Sequence, residues 1–155
     1  MPPSVGIAVT RKSACAFYIG DLRQELPPHQ IPDAFRPLLI KLDPEQSEFW
    51  IKDTVQLATA YCNALKLDKC VVHLDRDRPC RKFHADNLRL RLVCTYRGPG
   101  TLWNNADVIE QCGEWDVLLM KGRKSSPTPL IHKSPDPNPE DPPSLLLKLD
   151  EPGWI

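Results

Sequence analysis

From Cys70 onward the chain is cut into short β-prone runs by turn chemistry, and this punctuation constrains the fold more than any other feature. CVVHLD (70–75) reads as a first strand and Leu88 to Tyr96 as a second, closed by the tight turn Gly98-Pro99-Gly100. Thr101 to Trp103, Val117 to Met120 (closed by Gly122), Leu130 to His132 and the final SLLLKLD follow. Many short strands with frequent turns predict a sandwich or a closed antiparallel barrel. Seventeen prolines agree with this texture, and their cluster from Asp136 to Pro143 reads as a loop at one rim, because a strand-like segment follows it.

Residues 1–69 read as an N-terminal support region and 70–151 as a β-barrel core, together one domain over 1–155. Two β-prone pieces, Val5 to Thr10 and Ala14 to Ile19, come first, followed by a proline-bearing loop from Pro27 to Pro37 in which His29 is expected to be exposed. One long helix is expected over about 44–67 and packed outside the β structure. Asp43 is placed to cap it, and Pro44 suits the first helical position. Its predicted core stripe is Trp50, Ile51, Leu57, Ala58, Tyr61, Cys62 and Leu65, with Lys52, Asp53, Gln56 and Asn63 outside.

Twenty basic residues offset twenty acidic ones, so overall charge points to neither nucleic acid nor an acidic membrane. Arg76, Arg78, Arg81 and Lys82 are interleaved with Asp75 and Asp77 and lack aromatic spacing for base stacking, which reads as a solvated loop. The apolar run Val5 to Val9 is too short for a signal core, and no stretch reaches the roughly 18 apolar residues of a membrane span. A cytoplasmic protein is expected. Its six cysteines lack a C-x-x-C pair, so Cys80 and Cys94 read as buried thiols rather than zinc ligands or nucleophiles.

The chemistry concentrates in KFHADNLRLRLVCTYRGPGTLW (82–103). Residues two apart on a strand share a face, so His84 and Asp86 can present an imidazole and a carboxylate to one point. His132, in the short apolar segment Pro129 to Ser134, is the candidate third ligand. Two histidines and one carboxylate on one face of an octahedron leave positions open, as non-haem Fe(II) requires, although the same donors accept Mn(II), Co(II), Ni(II) or Zn(II). Chance supplies a His-x-Asp readily, and the chain holds a rival, His73-Leu74-Asp75, read as a polar pair at a strand end. An unbroken pleat would put Leu88, Leu90 and Leu92 on the ligands' face. Arg89 and Arg91 would then turn away, solvated or paired with acidic neighbours.

The ordered blocks KFHAD, LRLRLVCTYRGPGT, LLMKG, IHKSP and LLLKLD resemble an uncharacterised bacterial domain-of-unknown-function family, over about Cys80 to Asp150. That family's pattern supplies no established reaction. More distantly the layout is similar to the double-stranded β-helix, the jelly-roll or cupin-like fold of the Fe(II)/2-oxoglutarate oxygenases. The resemblance implies His84 and Asp86 as the paired ligands, Val117 to Met120 as the strand before the distal ligand, and His132 as that ligand. It also implies a basic anchor for the co-substrate beyond His132, and Lys148 is the residue so placed, although it comes later than in those oxygenases and could equally face outward.

The expected fold is therefore mainly β (α+β), and the expected function an Fe(II)/2-oxoglutarate-dependent oxygenase that hydroxylates a small-molecule or protein substrate. His84, Asp86 and His132 would hold Fe(II), Lys148 would hold 2-oxoglutarate, and Tyr96 and Trp103 would line the pocket. The alternative is a non-catalytic cupin-like module that binds a metal or small ligand. A metal-dependent hydrolase or isomerase would need a general base that the sequence does not identify.

Overall fold

Asp43 starts the long helix by accepting a hydrogen bond from Gln46 N at 2.9 Å, with Pro44 in the first turn where a missing N–H costs nothing. The computed structural model describes residues 7–9 (backbone only), 22–39, 43–75, 80–141 and 144–153. The β-prone piece 14–19 and the basic residues at 76 and 78 lie outside them.

The described elements are β1 (Ile7–Val9), β2 (Leu22–Leu26), α1 (Ile31–Phe35), α2 (Pro44–Leu65), β3 (Cys70–Asp75), β4 (Leu90–Arg97), β5 (Leu102–Asn105), β6 (Val108–Gln111), β7 (Val117–Lys121), β8 (His132–Lys133) and β9 (Leu145–Asp150). Helix α2 is 22 residues long and is not at the N-terminus, since β1, β2 and α1 precede it. It stops two residues short of the expected 67. Lys66 turns left-handed at φ 55°, Leu67 N bonds Cys62 O at 2.8 Å, and Lys66 N bonds Asn63 O at 3.3 Å, the paired bonds of a Schellman ending. The segment 27–37, expected as plain loop, folds into α1 flanked by 3₁₀ turns, and His29 is exposed there as expected.

One expectation for α2 fails. Asp53 and Thr54 are buried, because residues three and four beyond Trp50 fall on its core face whatever their polarity. Tyr96 makes this tolerable by donating to Asp53 Oδ2 at 2.7 Å, with Thr54 Oγ1 3.4 Å from the same hydroxyl.

Two antiparallel sheets make the protein mainly β within an α+β arrangement. The larger runs β1-β7-β4-β9-β3-β2 and the smaller β6-β5-β8. Among the described residues, the first sixty-nine positions thus add two edge strands to the larger sheet as well as two helices. From β3 onward the pairing is nested: β3 joins β9, β4 joins β7 and β5 joins β6. Between the outermost and next pair, the bridge His84·His132 joins the segment after β3 to β8.

The larger sheet is buried on both faces. Cys70, Val72, Leu74, Leu92, Cys94, Tyr96, Leu145, Leu147 and Leu149 meet the helical layer. Val93, Leu118, Met120 and Leu146, one residue out of phase, meet Trp103, Cys112 and Leu130 on the other side. On the helical side Trp50, Tyr96 and Trp115 form a triad with ring centroids 3.9 to 5.4 Å apart, each such pair worth about 0.5–1.5 kcal/mol beyond its buried area. The turn after β4 supports the opposite layer. Gly98 has φ 91°, and a side chain on Gly100 would sit 2.0 Å from Cys112 O.

Candidate metal centre

His84 and His132 stand directly opposite each other across an antiparallel bridge, His84 N bonding His132 O at 3.0 Å and His132 N bonding His84 O at 2.9 Å. Directly opposed residues project to the same side, which brings the ring centroids to 4.5 Å. Asp86, two residues on from His84, joins them: Oδ1 is 3.5 Å from His84 Nε2, and Oδ2 is 3.3 Å from His132 Nε2. One ligating atom from each of the three lies within 4.8 Å of the others, and among the described residues no second such group occurs.

The hydrogen bonds prepare these atoms for a cation. His84 Nδ1 is 2.7 Å from Lys82 O and His132 Nδ1 is 3.2 Å from Leu130 O. A carbonyl only accepts, so both Nδ1 atoms carry the proton, and in the neutral rings both Nε2 lone pairs turn toward Asp86. Asp86 Oδ2 is buried and accepts no hydrogen bond. Three acceptor atoms thus face one point without a proton donor between them, an arrangement that a divalent cation relieves. Ligand bonds of about 2.0–2.2 Å put two donors of one metal about 3.0–3.5 Å apart at octahedral to tetrahedral angles, the spacing seen on both sides of Asp86. The donor set fits a metal ion.

Burial alone would raise the Asp86 carboxyl, but His132, whenever its Nε2 carries a proton, and the Arg91 guanidinium, which is always charged, hold it below its ordinary value, so it is ionised and ready to ligate. Its backbone is pinned from the turn after β7. Arg123 N bonds Asp86 O at 2.8 Å, Lys124 N bonds Leu88 O at 3.1 Å, and Gly122 N bonds Arg89 O at 3.0 Å. Gly122 must be glycine for this approach, because a Cβ there would lie 2.1 Å from Leu88 O and 2.8 Å from Asp86 O.

The structure corrects the pleat argument. Residues 85–89 are not strand, so the alternation from His84 does not continue into β4. Leu92 therefore faces the helical core and Leu90 packs against it, whereas Arg91 and Val93 face the site. Arg91 does pair with acidic neighbours: Nε and Nη2 bond Asp150 Oδ1 and Oδ2 at 2.6 and 2.8 Å, and Nη1 is 3.0 Å from Asp86 Oδ1. Arg89 instead pairs with Glu151 through both its backbone N and Nε. Asn87, a turn former directly after the ligand, was the available hint that the pleat breaks there.

A cavity of about 60 Å³ opens at the histidines, lined among others by Cys80, Arg91, Ser134 and Lys148. Lys148, whose direction the sequence left open, is on the lining of this cavity, and its Nζ is 3.5 Å from Asp75 Oδ2. Cys80 is exposed rather than buried, and its carbonyl accepts from Ser134 N at 2.8 Å. Cys94 is buried in the helical-side core. Trp103 pairs its backbone with His132, but its side chain fills the core between the sheets. Tyr96 is corrected outright: it lies on the helical face of the sheet, held by Asp53, and lines no part of this cavity. The rival pair stays a polar pair, with His73 Nε2 3.8 Å from Asp75 Oδ2.

Fold and site together define an α+β protein with antiparallel sheets and a His-Asp-His cluster able to hold a metal ion. The chain belongs to the family described as "Protein of unknown function (DUF1826)", which matches residues 27–114. The match takes in His84, Asp86, Arg91 and the Gly-Pro-Gly turn and ends before His132 and Lys148. A search of curated proteins finds no match. Among the described residues no helix is long and apolar enough to cross a membrane.

Proposed function

We propose that this chain is a double-stranded β-helix metalloprotein, an Fe(II)-dependent oxygenase that uses 2-oxoglutarate or a similar 2-oxo acid to hydroxylate its substrate. The observation that carries the reading is the convergence of His84, Asp86 and His132 from a cross-strand pair and the residue two places on, with both Nε2 atoms and Asp86 Oδ2 unopposed by any proton donor. Such a triad takes one face of an octahedral ion and leaves the other open. The nested pairing supports the fold: counting the His84 bridge as a strand, eight segments from β3 to β9 pair first with last, second with seventh, third with sixth and fourth with fifth. Rolled into two facing sheets, that is a jelly roll.

Bound iron would supply dioxygen activation for attack on a C–H bond. The chain's own groups do the rest. His84 and His132 hold the metal through Nε2 while Lys82 O and Leu130 O fix their rings. Lys148 offers an ammonium to the far carboxylate of the co-substrate. It is the better placed cation, because its contact with Asp75 is long at 3.5 Å, whereas Arg91 already bonds two carboxylates. Val93, Met120 and Leu146 make one wall of the cavity apolar, which keeps water from competing.

A second reading, a cupin-like module that binds metal or a small ligand without turnover, is favoured by one observation. The cavity of about 60 Å³ has room for only a few water-sized groups. Anaerobic titration with Fe(II), with and without 2-oxoglutarate, separates the two. A metal-to-ligand charge-transfer band that needs both components is the expected result. Metal binding with no such band would sink the oxygenase and leave the module.

A further inference from the structure

We propose that Arg91 is the positioning residue of this metal centre: it commits Asp86 to ligate through one oxygen, and Asp150 in turn aligns Arg91. The inference rests on the metal-centre reading above. The two histidines are aimed by strand pairing, whereas Asp86 lies in the non-strand segment before β4, and its backbone bond to Arg123 does not fix how its carboxylate is turned. Arg91 supplies that restraint. A guanidinium is a rigid planar fork, and with Nε and Nη2 both engaged by Asp150 the direction of Nη1 is set. Nη1 meets Asp86 Oδ1 at 3.0 Å.

The two carboxylate oxygens therefore have different tasks. Oδ1, 3.5 Å from His84 Nε2, is held by Arg91, and Oδ2, buried and without a hydrogen bond, faces His132. A freely turning carboxylate can chelate with both oxygens and so take a coordination position that an incoming ligand needs. Engagement of Oδ1 closes that mode. Because Asp150 balances the charge of Arg91, the restraint comes with no added net charge.

The test is Co(II) binding to the metal-free full chain, read as affinity by chelator competition and as the visible absorption band at saturating metal. Arg91→Lys keeps the charge and removes the fork. The double variant Arg91→Met with Asp150→Leu removes both charges of that pair, leaves Asp150's place without an unpaired carboxylate and frees Asp86 Oδ1, and decides the matter if the single variant does not fold. With folding matched by circular dichroism, we expect about 10- to 100-fold weaker binding and an altered band at saturation, which a purely structural ion pair would not change. Wild-type affinity and an unchanged band in the folded variants would overturn the positioning role and leave the metal centre intact. Failure of the wild-type chain to bind Co(II) would overturn the metal centre itself and this inference with it.

Discussion

His73-Leu74-Asp75 and His84-Ala85-Asp86 share one pattern, yet among the described residues only the second belongs to a cluster able to hold a metal. What stands across from each accounts for the difference. His73 is paired with Arg23 in β2 and Lys148 in β9, so its strand partners on both sides are cations. Asp75 is already engaged by Lys148 at 3.5 Å. His84 is paired with His132, a second imidazole, and the cation near Asp86 takes only Oδ1. The tripeptide supplies two donors on one face, and the opposing strand decides whether they meet a third donor or a competing charge.

The largest expected effect is loss of the third donor. His132→Ala and His84→Ala should each weaken Co(II) binding by more than the 10- to 100-fold that outer-sphere changes cost, while His73→Ala leaves it unchanged. Isothermal titration of the three variants reads this directly. Unaltered binding in His132→Ala, or loss in His73→Ala, would break the comparison at its root.

The comparison can also be sharpened by making the two regions alike. Lys148→His puts an imidazole opposite His73 and removes the cation beside Asp75, reproducing the pattern around His84. Equilibrium dialysis should then show a second, weaker equivalent of Co(II) where the wild-type chain takes one. A stoichiometry that stays at one would mean that an opposed histidine is not sufficient, and that the turn holding Asp86 matters as much.

Gly122→Ala tests that turn. The added carbon would meet Leu88 O at 2.1 Å and Asp86 O at 2.8 Å, both backbone atoms, so the ligand segment itself must move. A loss of about 1–3 kcal/mol in denaturant unfolding is expected, typical of overpacking, together with weaker metal binding. A folded variant with unchanged affinity would show that Asp86 is aimed by its side-chain partners alone.

Helix α2, its Asp43 cap and seven strands were legible in the sequence, because caps, turn formers and apolar periodicity are local signals. The cluster of His84, Asp86 and His132 that could hold a metal was legible too, since the spacing of His84 and Asp86 is itself a geometric statement. What escaped depended on tertiary pairing or on a broken pleat. Strands β2 and β6 carry polar or exposed residues and gain their order from neighbours. Arg91 was assigned to the wrong face because one irregular segment shifts the parity of everything after it. Asp150 shares its strand face with Lys148 and Leu146 in β9, but the sequence left open which way that face turns, so Asp150 was not singled out.

Acid titration of the metal-free chain should give the smallest effect, and it separates the two regions by pH. Burial, and then Lys148, hold the His73 imidazole below its ordinary value, with Asp75 partly opposing them. The unfolded chain therefore takes up a proton near the ordinary histidine value of about 6.5 while folded His73 stays neutral. The stability due to His73 is complete above that pH and declines as pH falls toward its lowered folded value. Asp86 is also lowered, but from the carboxylate range, so its contribution persists through this window and is lost only below about pH 4. Thermal unfolding in chelator should show a shallow loss beginning near pH 6.5 and a separate one below pH 4. His73→Gln should flatten only the first, and Asp86→Asn only the second. A first phase that survives His73→Gln would mean that the cations facing His73 do not keep it neutral, which removes the electrostatic half of the contrast with His84.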